Sequence, residues 1–177
     1  MAAEPQLADA LERAAAACRD AAATLQAYGV EPEHLAALIP PKRVLLWTRP
    51  ARMAKLGSVW RLGTLLLGTD GALYAAGRAT RAAERGRPGY QSVSREERKE
   101  IAAAALRGGY EPGSAVNFDA TPLVFNADAL ADPTLPVGIA DGEVRVRWRA
   151  GASLTGAATL AAFMSERAEL LRAPIQE

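Results

Sequence analysis

Arg78, Arg81, Arg85 and Arg87 crowd one short segment, with Tyr90 close behind. A guanidinium group is planar, permanently charged and able to grip a carboxylate or phosphate through two parallel N–H bonds. A tyrosine ring beside such groups offers a face on which a base or another ring can stack. These five residues are the first candidates for a site, and a small anionic ligand is the chemistry they fit. Glu84, Glu96 and Glu97 lie close in sequence and support the competing reading, a solvated loop neutralised by its neighbours.

Asn117, Asp119 and Asp128, with Thr121 and Asn126 between them, are candidates for a polar pocket. A carboxylate there would serve as general acid or base. The same residue types are also the common turn formers, because their short polar side chains bond the nearby backbone. Arg145, Arg147 and Arg149 alternate with Val144, Val146 and Trp148, the pattern of one strand with like charges along a single face. Such a row requires acidic partners, in this chain or another.

Other chemistries find less material. Cys18 is the single cysteine and sits in the middle of an apolar helical stripe, where the helix N-terminus cannot help much to activate a thiol. His34 is the single histidine, and its neighbour Glu33 points elsewhere. No metal site and no cofactor are expected from this set. There is no Walker A loop, no Gly-x-Gly-x-x-Gly and no Gly-x-Ser-x-Gly elbow.

The elements that must position these groups follow from periodicity. Leu7, Leu11, Ala14, Cys18, Ala22 and Leu25 mark one face of a helix, stopped at Tyr28-Gly29. Pro32 predicts the first turn of a short helix with Leu35, Leu38 and Ile39 inward, ended by Pro40-Pro41. Val44 to Trp47 reads as a strand broken by Pro50. Val59 to Leu67 reads as a long, largely apolar strand, turned at Asp70-Gly71 into a return strand over Ala72 to Ala79. Ser94-Arg95-Glu96-Glu97 is a capping box opening a helix that reaches Arg107. Val116 to Phe118 and Leu123 to Phe125 are short strands. A second hairpin, Pro136 to Ala140 and Glu143 to Ala150, turns at Asp141-Gly142, and Ser153 or Thr155 caps a last helix.

The expected architecture is α+β, a central antiparallel sheet built from the two Asp-Gly hairpins and packed with helices. Residues 1–30 form an amphipathic helix suited to self-association, which makes a homodimer a candidate assembly. Residues 31–177 form a single domain.

Charge is sorted along the chain. Residues 42–107 carry 14 Lys/Arg against 5 Asp/Glu, while both flanks are acidic and the net charge is only +1. That small total gives little long-range attraction to nucleic acid, and no familiar nucleic-acid motif is present, so a weak nucleic-acid binder ranks low. No basic leader precedes an apolar segment, and no apolar run is long enough to span a bilayer. A cytoplasmic chain without a membrane partner is the expectation.

Lys42-Arg43-Val44-Leu45-Leu46-Trp47, then Trp60-Arg61-Leu62-Gly63 through Asp70-Gly71, and Arg107-Gly108-Gly109-Tyr110 resemble an uncharacterised family from high-GC actinobacteria. Some members carry a loose glutaminase label, which implies a small amide hydrolase as the alternative function. The chain lacks the Ser-x-x-Lys of serine-dependent glutaminases, and Cys18 and His34 stand in the wrong contexts for a Cys-His-Glu amidotransferase. The leading expectation is a non-enzymatic binding or structural module with an anion-binding Arg-rich surface.

Overall fold

The computed structural model describes residues 3–86 and 92–172. In chain order it contains helix α1 (Ala3–Ala27) and strands β1 (Glu33–Ile39), β2 (Lys42–Val44), β3 (Trp47–Arg49), β4 (Arg52–Leu62), β5 (Leu65–Gly68), β6 (Leu73–Ala75) and β7 (Arg78–Arg81). Helix α2 (Val93–Arg107), strands β8 (Ala115–Phe118) and β9 (Thr121–Pro122) and a 3-10 turn at Ala129–Ala131 follow. Strands β10 (Val137–Ala140) and β11 (Glu143–Val146) and helix α3 (Leu160–Arg172) complete the chain. The class is α+β.

Two units are distinguished. The first holds Met1–Glu31, Trp60–Ala75 and Thr121–Glu177; the second holds Pro32–Val59 and Ala76–Ala120. In the first unit, α1 packs on α3, β5 and β11. Its core gathers Cys18, Leu25, Trp60, Leu65, Leu67, Leu130, Val137, Leu160 and Met164. The Trp60 indole N–H donates to the Val30 carbonyl at 2.9 Å, so a nearly buried ring leaves no orphan donor. Along the stripe of α1, Ala14, Cys18, Ala22 and Leu25 are buried inside the unit, while Leu7 and Leu11 are half-buried.

In the second unit the strand order is β7-β8-β1-β4, with α2 contributing Ile101, Ala104 and Ala105 to a core shared with Met53, Tyr110, Val116 and Phe118. In the first unit the order is β4-β5-β6-β9, β4 running from one unit into the other. The pairing is mixed rather than wholly antiparallel, because β1 and β8 run parallel. The Asp141-Gly142 hairpin stands as a separate two-stranded sheet, β10-β11.

Several elements correct the sequence expectation. The segment after Pro32 is β1, not a helix: Leu35 to Ile39 is a continuous apolar run, sandwiched between β4 and β8, where both strand faces can be covered. Val44 to Trp47 is not one strand but the tight turn between β2 and β3, with Val44 paired to Trp47. The expected strand over Val59 to Leu67 is broken at Gly63, whose φ of 67° is open to glycine and reverses the chain into β5. The return strand stops at Ala75, and β7 pairs with β8 in the other unit. The edge strand is Thr121–Pro122 rather than Leu123 to Phe125.

Two caps also differ. Helix α2 starts from Ser92, with no side-chain cap, and the backbone N–H groups of Arg95 and Glu96 bond the Ser92 carbonyl. Glu97, the expected return partner of the capping box, is engaged by Arg78 instead. Helix α3 is capped by Thr159, whose hydroxyl accepts from Ala162 N–H at 3.2 Å.

Candidate functional site

The arginines of the expected anion surface are occupied. Arg78, opening β7, bonds Glu97 at 3.1 Å, lies 4.0 Å from Asp119, and rests its guanidinium over the Phe118 ring at 5.1 Å. Arg81 donates to the Gly113 carbonyl at 3.0 Å. Arg85 reaches Glu100 at 3.2 Å, a carboxylate that Arg107 also grips. These ion pairs are half exposed and each contributes at most about 1 kcal/mol. A ligand at Arg78 or Arg85 would have to displace a carboxylate already in place, whereas Arg81 is held by a carbonyl alone. Arg87 and Tyr90 lie outside the described residues.

The polar-pocket candidates separate. Asn117 is fully buried, and its amide donates to Glu33 Oε2 at 2.7 Å and to the His34 carbonyl at 3.2 Å. That arrangement ties β8 to β1. Asp119 is half exposed in a left-handed turn conformation, φ 55°, beside Arg78. Asp128 is an exposed residue at the start of the 3-10 turn and belongs to the other unit. His34 packs against Tyr110, ring centroids 4.9 Å apart. Among the described residues no cluster of three His, Cys, Asp or Glu side chains has the makings of a metal site.

The expected ladder of Arg145, Arg147 and Arg149 does not form, because β11 ends at Val146. Arg145 bonds the carbonyls of Ala140 and Ala157 and pairs with Asp141 at 3.6 Å. Arg147 is folded inward, and Arg149 lies over the exposed Trp148 ring at 4.5 Å. Backbone carbonyls bind Arg145 and Arg147, and Asp141 of the same chain pairs with Arg145.

Cys18 has no room for nucleophilic work. Burial pushes its thiol up to about 12, and the nearby positive charge of Arg19 offsets that only in part. The buried thiol is neutral at ordinary pH, whereas an unfolded thiol begins to ionise near 9.0. A raised folded value means that the stability this group contributes is present below about 9 and is lost as pH climbs from there towards 12. At pH 8 the folded protein is expected to leave a disulfide reagent such as Ellman's essentially unconsumed, with one thiol reacting once denaturant is added. Fast reaction of the folded chain would show that Cys18 is accessible and activated.

The feature that composition did not single out is the β2–β3 hairpin. Every residue from 39 to 50 is exposed. Leu46 is 100% exposed, Leu45 87%, Trp47 76% and Val44 42%, so four neighbouring apolar side chains meet solvent at one turn. The register Lys42↔Arg49, Arg43↔Thr48, Val44↔Trp47 puts cations behind them on both strands. Between Glu33 and Asp70 the sequence has no acidic residue but six basic ones, four of them Lys42, Arg43, Arg49 and Arg52. None of those four takes part in an ion pair among the described residues. A shallow cleft of about 290 Å³ lies against the hairpin, lined by Val44, Trp47, Thr48, Arg49 and Pro50.

The turn itself is strained. Leu45 has φ 53°, a left-handed conformation that costs a side chain with a Cβ roughly 1–2 kcal/mol. Elsewhere the chain makes hairpin turns with Asp70-Gly71 and Asp141-Gly142. Leu45-Leu46 is therefore an apolar pair held where a polar turn pair would be more stable. The sequence signal that could have found it is the run Lys-Arg-Val-Leu-Leu-Trp-Thr-Arg between prolines: too short for a buried strand pair and flanked by unmatched charge.

No protein-family model, no curated protein and no solved structure matches this chain. Among the described residues no helix is long and apolar enough to cross a membrane.

Proposed function

We propose that this chain is a non-enzymatic binding module that docks through the β2–β3 hairpin, an apolar tip set on a cationic base. The observation that carries this reading is the exposure of Leu45, Leu46 and Trp47 together, beside cations that have no acidic partner among the described residues. Single exposed apolar residues are ordinary, but adjacent ones at a protruding turn are the kind of patch that marks a contact surface. Burying three such side chains is worth about 2 kcal/mol each. Association costs of about 4 kcal/mol or more consume most of that, so the tip needs its charged base to hold a partner reversibly.

The hairpin is also built to lose little entropy on docking. Pro40, Pro41 and Pro50 bracket it and fix the backbone at its root. A lone two-stranded hairpin is marginal in water, and a bound surface would supply what a third strand does not.

The expected result with a photo-crosslinking amino acid in place of Leu46 is a discrete adduct formed in cells that make the protein, its mass reporting lipid, polypeptide or a second copy of the chain. The same probe at an exposed position of α3, Glu169, should give none. Absence of an adduct at position 46 in a folded variant would end the docking reading.

A further inference from the structure

We infer that the hairpin seats on an anionic lipid bilayer, with Leu45, Leu46 and Trp47 entering the headgroup region and Lys42, Arg43, Arg49 and Arg52 lying against lipid phosphates. The inference rests on the docking reading above and names its partner. Three properties of the hairpin favour lipid.

The first is convexity. Leu45 and Leu46 form the turn itself and stand clear of the rest of their unit, with all of residues 39–50 exposed. Leu45 and Leu46 lie outside the cleft lined by Val44, Trp47 and Arg49, and a bilayer receives such a tip without a preformed cavity. The second is layering. Val44 pairs with Trp47 next to the turn, and Lys42 pairs with Arg49 two residues further back, about 7 Å along the strands. Apolar groups at an interface sink about 5–10 Å below the headgroups, so the cations arrive at phosphate level when the tip is inserted. Trp47 falls between the two layers, at the depth where tryptophan is enriched in membrane proteins.

The third is charge. With no Asp or Glu from residue 34 to residue 69, nothing in this stretch repels an anionic surface. Juxtaposed Lys and Arg side chains gain attraction from such a surface over about a Debye length. Acidic polypeptide is the competing partner class, and it is separated below. Insertion of a hairpin tip requires no spanning helix.

The test uses the full chain and flotation with vesicles of phosphatidylcholine mixed with phosphatidylglycerol, against phosphatidylcholine alone. The chain is expected to float with the anionic vesicles, with tryptophan emission moving to the blue, and Trp47→Phe should abolish that optical change. Leu45→Ser and Leu46→Ser should each lower binding by about tenfold or more. Arg43→Gln and Arg49→Gln should each lower it about fivefold, and added salt should act in the same direction. All four positions are exposed, so thermal unfolding serves as the control that these variants still fold. No flotation with anionic vesicles, equal flotation with neutral ones, or undiminished binding by Leu45→Ser/Leu46→Ser overturns the inference. If vesicles fail while the position-46 crosslinker captures a polypeptide, the lipid inference falls and the docking reading stands. If both fail, both fall.

Discussion

Replacing Arg147 with alanine is expected to destabilise the protein by about 3 kcal/mol or more, far beyond the effect of removing any other arginine considered above. Arg147 is only 9% exposed. Its Nε donates to the Leu135 carbonyl at 3.1 Å and its Nη1 to the Ala152 carbonyl at 2.8 Å, closing the segment after β11 against the one before β10. The backbone N–H of the same residue donates to Pro136 O at 2.7 Å. Gly138 makes space for the guanidinium, since a Cβ there would meet Arg147 Nη2 at 2.7 Å. Each charge-assisted bond is worth about 1.5–3 kcal/mol, and truncation leaves one buried and one part-buried carbonyl unmatched beside a new cavity. Lysine should recover less than half of the loss, because a single ammonium cannot reach two carbonyls as a rigid fork does. Urea unfolding measures this as a lower midpoint at unchanged slope. A loss below about 1 kcal/mol would mean that these carbonyls find water, and that the fork is not what holds the segment.

That residue also shows where reading the sequence stops. Val144, Arg145, Val146, Arg147 alternate as a strand should, and alternation alone cannot reveal that β11 ends at Val146 and that the next arginine turns inward. Carbonyl acceptors carry no sequence signature. The helices are more visible, because a period of 3.6 repeated over 13 to 25 residues is hard to mistake. The short apolar run of β1 has no such period: Leu35 to Ile39 fits helix or buried strand equally, and only its neighbours β4 and β8 decide. Turns were legible where the chain uses Asp-Gly and hidden where it uses Leu45-Leu46 or Gly63-Thr64.

The candidate site follows the same logic. An excess of cations between residues 42 and 107 is plain in the sequence, but which of them are matched is decided by folding. Helix α2 brings Glu97 to Arg78 and Glu100 to Arg85, which pairs part of the later basic region, while Arg81, Arg95 and Arg98 have no ion pair among the described residues. The earlier part, Lys42 to Arg52, has no acidic neighbour in sequence and acquires no ion pair in the fold among the described residues. Cations without a carboxylate thus stand in both parts, and the earlier part is the one where an apolar tip emerges beside them. Neither signal is decisive alone, since exposed leucines and unpaired surface cations are both common. Their coincidence on one hairpin is what carries the functional reading.

Stability and docking should therefore pull in opposite directions at the tip. Leu45→Asn places a side chain that tolerates positive φ where Leu45 now bears it at 53°, and Leu46→Ser removes the second apolar group at a position without that strain. The double variant is expected to gain up to about 1 kcal/mol of stability. It also removes two fully presented apolar side chains, and its binding to anionic vesicles should fall by about a hundredfold or more. A purely structural hairpin would show the gain without the loss. A tip that docks only through its cations would keep most of its affinity, because Lys42, Arg43, Arg49 and Arg52 are untouched. Natural chains retain local strain where the strained residues do something that the relaxed ones cannot. If the variant is both less stable and still fully bound, Leu45 and Leu46 are packing residues, and neither the strain argument nor the docking argument survives.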